Sequence, residues 1–419
     1  MSIRSGLQAL DGRSFLIAGL LVSLLVLVVF VAISTPYIGA SDMFTDFDAF
    51  YVASMFFWEG RIADAYDLDV MLARQHELAG RPILMPWSYP PQFNLITAPM
   101  ALAPRGVSYA IFIVLTLALY LVAMRALVGR LLVEPLVVVF PALAMTVSSG
   151  QNAFLTAALI GAFCLLSLKG KNTAGLPLGL MVIKPHLAVG LGLSVLFRKR
   201  WMDFAVVSAV IVASSLVATL VLGPEIWSAV IQGAVNAAAN TGGGEYKLFR
   251  MSSAFATLRS FGIDPGVAFS VHAIVAAALV ASIALAVHKG WPLRRVLCVS
   301  VFATLAISPY SYDYDMTALA VCLILVAQDL ARHARPYERL VIILSGWLCT
   351  GWGWMTYLFL YEDAAPKMDN LPALGGIGFL ALAVVILRVL HRAWREEQGM
   401  PQSSYITADP RRDASVGAY

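Results

Sequence analysis

Asp46 and Asp48, in the run Phe44-Thr45-Asp46-Phe47-Asp48, stand shortly beyond a long apolar first segment. A carboxylate placed there reads in two ways. It is part of a solvated acidic loop, as nearby Asp42 suggests, or it is a base held at a membrane surface to take a proton from a hydroxyl. Three further polar clusters interrupt apolar sequence. Ser148-Ser149-Gly150-Gln151-Asn152 separates two apolar blocks; it is either a tight turn, which Gly and Asn favour, or a binding element. Lys184-Pro185-His186 lies inside an apolar block. An ionisable group at that depth marks a functional site by default, unless Lys184 snorkels to the interface. With His186 it makes a candidate phosphate holder. Ser308-Pro309-Tyr310-Ser311-Tyr312-Asp313-Tyr314-Asp315 opens another apolar block. One of its carboxylates suits a helix N-cap. Asp315 follows Asp313 by two positions and faces elsewhere on a helix, so the two divide their roles.

Composition says what positions these groups. The chain is 60% hydrophobic and 13% charged, with a mean hydropathy of +0.79. A soluble domain carries about 25% charged residues. The apolar blocks have the length of membrane helices rather than of barrel strands. The fold class expected is an all-α polytopic membrane protein of about twelve transmembrane helices. Residues 15–34 read as an uncleaved first span with the N-terminus inside. Further blocks fall near 92–103, 107–128, 134–148, 151–168, 173–197, 203–222, 265–288, 293–309, 313–333, 337–358 and 373–393. The block 92–103 is short and reads as re-entrant or a half-span. Pro185 breaks 173–197 into a bent pair of short helices. Basic connectors at Lys169-Gly170-Lys171, Arg198-Lys199-Arg200, Arg294-Arg295 and Arg332 through Arg339 orient the spans by the positive-inside rule.

Residues 1–396 thus form one transmembrane domain. Its first outer loop, 36–90, carries short helices near 48–60 and 66–80, with Trp58, Tyr66 and Trp87 at the interface. A second outer loop, 223–262, contains Gly242-Gly243-Gly244 beside Lys247 and Arg250, a lid over a lipid phosphate or an ordinary mobile loop. Residues 397–419 read as a disordered cytoplasmic tail. Cys164, Cys298, Cys322 and Cys349 lie in apolar blocks and read as buried hydrophobes. No nucleotide-binding fingerprint, metal-ligand spacing or internal repeat is evident, and no nucleic-acid partner is expected.

With this topology the four clusters meet on the outer side. Carboxylates, a lysine, a histidine and aromatic rings suit sugar transfer from a lipid phosphate. The acceptor needs a base, the oxocarbenium-like transition state needs stabilising charge, and the leaving phosphate needs donors. A transporter or lipid flippase using the same charges is the alternative.

The ordered set of motifs resembles glycosyltransferase family 87, of the GT-C type. The matching pieces are Asp46-Phe47, Phe50-Tyr51, Gly60, Ala65-Tyr66-Asp67, Tyr89-Pro90-Pro91, Leu102-Ala103-Pro104, Gly150-Gln151-Asn152, Lys184-Pro185, Arg200-Trp201 and Ser308-Pro309. The resemblance implies a GT-C fold in the cytoplasmic membrane with its site facing outward. It implies a polyprenyl-phosphate sugar donor carrying mannose or a pentose, a glycolipid or glycan acceptor, and inverting, metal-independent transfer without a cofactor. Asp46 is then the base. Gln151, Lys184, His186, Lys247 and Arg250 are expected to hold the donor phosphate. Asp48, Tyr51, Asn152, Tyr312, Asp313 and Asp315 are expected to shape the donor and acceptor sites, with Tyr89 and Trp87 at the entrance. Some members of the family have a histidine in the Ser-Pro region where this chain has Tyr312-Asp313-Tyr314-Asp315. That departure leaves the segment to bind the acceptor or to orient the phosphate.

Overall fold

The computed structural model describes residues 23–25, 27–29, 45–79, 85–128, 133–242, 247–360 and 371–399. Helices make up nearly all of it. Among the described residues, four are long and apolar enough to cross a membrane: Arg105–Leu127, Trp201–Leu222, Pro265–His288 and Gly375–Gly399. A fifth span results if Asp313–Leu325 and Ala327–His333, bent by 61°, are taken together. Several other apolar blocks form shorter helices, including Val133–Ser149, Ala153–Leu168 and Leu293–Ile307, while the block 337–358 forms the 25-residue helix Pro336–Leu360. The first expected span, the glycine run at 243–244 and the chain beyond 399 lie mostly or wholly outside the described residues.

Local chemistry sets several boundaries. Asp264 caps the Pro265–His288 helix, its side chain accepting from the backbone N–H of Gly266 and Val267, with proline at the first helical position. Ser253 caps Ala254–Ser260 in the same way, accepting from Ala256. Pro185 has no N–H to continue a helix. The chain accordingly runs Gly175–Leu180, a 3-10 turn at Met181–Ile183, an extended Lys184 (φ −149°, ψ 70°), a second 3-10 turn at Pro185–Ala188, and then Val189–Phe197. This is the bent pair expected from the sequence. The block at 92–103 forms Pro91–Thr97 followed by a 3-10 turn at Ala98–Leu102. Its length, about 20 Å at normal helical rises, falls short of a hydrocarbon core of about 30 Å.

Three expectations need correcting. Tyr66 and Trp87, placed at the interface from their residue type, are buried; only Trp58 is exposed. The reason is a polar chain inside the aromatic core. The Trp87 indole donates to Asn94 Oδ1 at 2.9 Å, the Asn94 amide to the Tyr66 hydroxyl at 3.0 Å, and that hydroxyl to the Tyr89 carbonyl at 2.8 Å. Trp87 therefore lines no entrance. The block at 313–333 is not one straight span, because it starts as a 3-10 helix, Asp313–Ala318, and breaks at Val326. Lastly, helix Gly375–Gly399 runs three residues into the segment expected to be a disordered tail. Glu397 holds it there by pairing with Arg295, which is fully buried and also pairs with Asp329. Arg294 joins Asp329, and Arg392 joins Glu338. These pairs gather at one end of the bundle. The basic residues read from sequence as orientation signals also tie helix ends together.

The four cysteines are buried. Small residues let the helices approach closely. At Gly190 a Cβ would lie 2.5 Å from the Ser300 carbonyl, and at Gly378 it would lie 2.6 Å from the Cys349 nitrogen.

Candidate active site

At the end opposite the Arg295 pairs, the polar clusters meet. Asp46 lies in the first turn of helix Thr45–Trp58. Phe47 and Phe50, which follow it in the chain, anchor that helix in an aromatic cluster with Tyr109, Phe112, Trp87, Tyr89 and Phe93. Gly150 then brings the next element close. Its φ is +71°, and a Cβ there would lie 2.4 Å from the Cβ of Phe47. Only glycine adopts that backbone without strain at such a contact. The turn sets the Gln151 side chain close enough to Asp46 to favour its charged form. Gln151 Oε1 accepts from the Tyr89 hydroxyl at 3.2 Å and from the Asn152 N–H at 3.0 Å.

The cations come from two other elements, each with a carboxylate partner. Lys184, at the helix break, donates to Asp315 Oδ1 at 2.6 Å and lies 4.9 Å from the Tyr314 ring. Arg250 donates to Asp313 through Nη2 at 3.1 Å and Nε at 3.4 Å. It also lies over the rings of Tyr312 and Tyr314, which stack on each other at 5.3 Å. The pairing of Arg250 with Asp313 has a backbone cause. Met251 and Tyr312 form an isolated antiparallel bridge, and the Ser252 N–H donates to the Ser311 carbonyl at 2.7 Å. Gly353 admits the pair, since a Cβ there would fall 2.3 Å from Asp313 Oδ2. All five charged groups, Asp46, Lys184, Arg250, Asp313 and Asp315, are buried.

Burial raises the pKa of Asp46 above the usual carboxylate value, against the opposing fields of Arg250, Lys184 and Lys247 and the nearby Gln151 side chain. Its Oδ2 is buried without a hydrogen-bond partner. The Asn152 amide lies close enough to the Tyr89 hydroxyl to bear on its ionisation. Even so, neither Asn152 Nδ2 nor Oδ1 makes a hydrogen bond of acceptable geometry. Buried polar atoms are nearly always satisfied, so orphans gathered beside a carboxylate call for an explanation. A ligand that brings hydroxyls supplies one.

Most of the residues singled out by sequence come together here: Asp46, Tyr89, Gln151, Asn152, Lys184, Arg250, Tyr312, Asp313 and Asp315. His186 is half-buried and feels the charges of Lys184 and Asp315. Lys247 is exposed, but its charge reaches Asp46. Two residues do not join the cluster. Asp48, two positions from Asp46 and so on another face of the helix, pairs with Arg105 at 3.2 Å. Burial nonetheless pushes its pKa up to about 7, Arg105 offsetting only part of the effect. The Tyr51 hydroxyl donates to the Ala103 carbonyl at 3.1 Å. Sequence reasoning missed Asn94 and Gly353. Asn94 lies within the short apolar block, where a polar side chain with no local partner was the available signal. Nothing local marks Gly353.

A helical, strongly apolar chain that gathers buried ion pairs, aromatics and orphaned polar atoms at one end is a membrane protein with its chemistry confined to that end. It belongs to glycosyltransferase family 87, whose model matches residues 87–309. The protein is therefore a membrane glycosyltransferase. The matched stretch contains Tyr89, Gln151, Asn152, Lys184 and Arg250; Asp46, Asp313 and Asp315 lie outside it. No curated protein and no solved structure is significantly similar to the chain.

Proposed function

We propose that the protein transfers a sugar, mannose or a pentose, from a polyprenyl-phosphate donor to a glycolipid or glycan acceptor. The transfer takes place at the outer face of the cytoplasmic membrane, in a GT-C fold of about twelve spans, with inversion at the anomeric carbon. Asp46 takes the proton of the acceptor hydroxyl. Lys184 and Arg250 hold the donor phosphate, with His186 and Lys247 nearby and Gln151 orienting the base. Tyr89, Tyr312 and Asn152 border the sugar and the acceptor. Asp48 and Tyr51 support the helix that carries Asp46.

One observation carries this reading. Asp46 presents a buried, unpartnered carboxylate oxygen in the fields of two buried cations. A base must be within reach of the proton it removes, and a raised pKa makes it a stronger proton acceptor than an ordinary carboxylate. The cations supply the charge that a departing phosphate needs. Family membership favours this reading over a transporter.

The test is transfer by the full-length protein in lipid, supplied with a panel of radiolabelled polyprenyl-phosphate sugars and a membrane-lipid extract. Transfer from one donor, abolished in Asp46→Asn without loss of folding, is the expected result. Turnover near wild type in that variant would show that Asp46 is not the base.

A further inference from the structure

Sugar transfer changes the charge of the phosphate it leaves behind. A polyprenyl-phosphate sugar is a phosphodiester with one negative charge. As the acceptor oxygen bonds to the anomeric carbon, the bond from that carbon to the phosphate oxygen breaks. The electron pair stays on the phosphate, and the acceptor proton goes to Asp46. What remains is a lipid phosphate monoester carrying about −1.5 to −2 at neutral pH.

The site holds its cations in a way that bears on this change. Lys184 and Arg250 each already carry a buried carboxylate, Asp315 at 2.6 Å and Asp313 at 3.1 Å. With Asp46, the cluster sets three buried carboxylates against these two buried cations. A site shaped only to grip phosphate would leave its cations open to it. These pairs instead join distant parts of the chain, and Gly353 gives Asp313 the room it occupies. A dianion placed on the same cations feels the two carboxylates roughly twice as strongly as a monoanion does.

We infer that Asp313 and Asp315 act as charge-discriminating residues, weakening the site's hold on a phosphate monoester relative to a phosphodiester so that the lipid phosphate leaves after transfer. The inference rests on the reading of Lys184 and Arg250 as the ligands of the donor phosphate. At an effective dielectric constant of about 20 and a separation of roughly 5–6 Å, one further unit of charge changes affinity about a hundredfold. Part of a unit brings the effect to between about ten- and a hundredfold.

Binding by the full-length protein in lipid nanodiscs tests this, with farnesyl phosphate as the monoester and farnesyl methyl phosphate as the diester. Asp313→Asn and Asp315→Asn should each tighten both probes, the monoester about ten- to a hundredfold more than the diester. Product inhibition by farnesyl phosphate should deepen in parallel. Asp313→Asn is decisive, because its partner guanidinium keeps its proton whatever its surroundings. Unchanged or weaker monoester binding by Asp313→Asn, in protein that melts like wild type, overturns the inference. So does equal tightening of both probes. Wild-type binding of both probes by Lys184→Met would instead refute the phosphate reading of the cluster. The two failures are therefore distinguishable.

Discussion

Replacing Gly150 with alanine adds one methyl group at the point where the two halves of the proposed acid–base site touch. The methyl would sit 2.4 Å from Phe47 Cβ. Carbon atoms settle at about 3.5 Å or more, so either the turn or the helix start must move by roughly 1 Å. Phe47 precedes no slack: it is fully buried and wedged edge-on against Tyr109 at 5.4 Å. The displacement therefore passes to its neighbour Asp46, to Gln151, or to both. A misplacement of about 1 Å at a reacting group lowers turnover on the order of a hundredfold. The same substitution also strains a backbone at φ +71°, for a combined loss of stability of about 2–4 kcal/mol. Gly170→Ala supplies the control. Its φ is +65°, but nothing lies within 4 Å of the added carbon. It should lose about 1–2 kcal/mol and no activity. Turnover of both variants in the lipid-linked sugar assay, with melting temperatures alongside, separates the two effects. If Gly150→Ala keeps wild-type turnover, the contact between Gly150 and Phe47 does not position the base.

The remaining predictions concern the titration of the base and its unpartnered neighbour. Because burial raises the pKa of Asp46, the base is ionised only above the usual carboxylate range. Activity should therefore rise with pH along an acid limb displaced upward from the ordinary carboxylate range. Asp48 also titrates high, near 7, but it pairs with Arg105 away from the cluster. Asp48→Asn should thus keep the limb, and a limb that vanishes in that variant would reassign the titration. Asn152→Ala removes two buried orphan atoms. It should leave the melting temperature unchanged or raise it, while lowering kcat/KM by roughly ten- to a hundredfold, as expected when a hydrogen bond to substrate is lost. A stability loss with intact kinetics would give Asn152 a structural role instead.

The helical class and its membrane character were legible from apolar block lengths and low charge, because a bilayer forces every buried backbone group into helices. The break at Lys184-Pro185 was legible too, since proline removes a backbone donor and disfavours an unbroken helix, although Pro141 is accommodated within Val133–Ser149. The site clusters stood out as polar groups where apolar ones belonged, a local property that needs no fold. Which cation meets which carboxylate was not legible. Lys184 and Asp315 are 131 positions apart, and Arg250 and Asp313 are 63 apart. Their partnership follows from the bend at Lys184 and the bridge between Met251 and Tyr312. Asp48 looked like a companion of Asp46 because sequence spacing is short; helical geometry turned it to Arg105. The aromatic residues of the first loop show the same division. Their type announces an interface, but burial depends on whether a partner for each polar tip lies inside. Asn94 and the Tyr89 carbonyl provide those partners for Trp87 and Tyr66. Residue types thus determined which chemistry was on offer. Contacts between distant segments, which no local pattern encodes, decided which groups share one site and which atoms are left without partners.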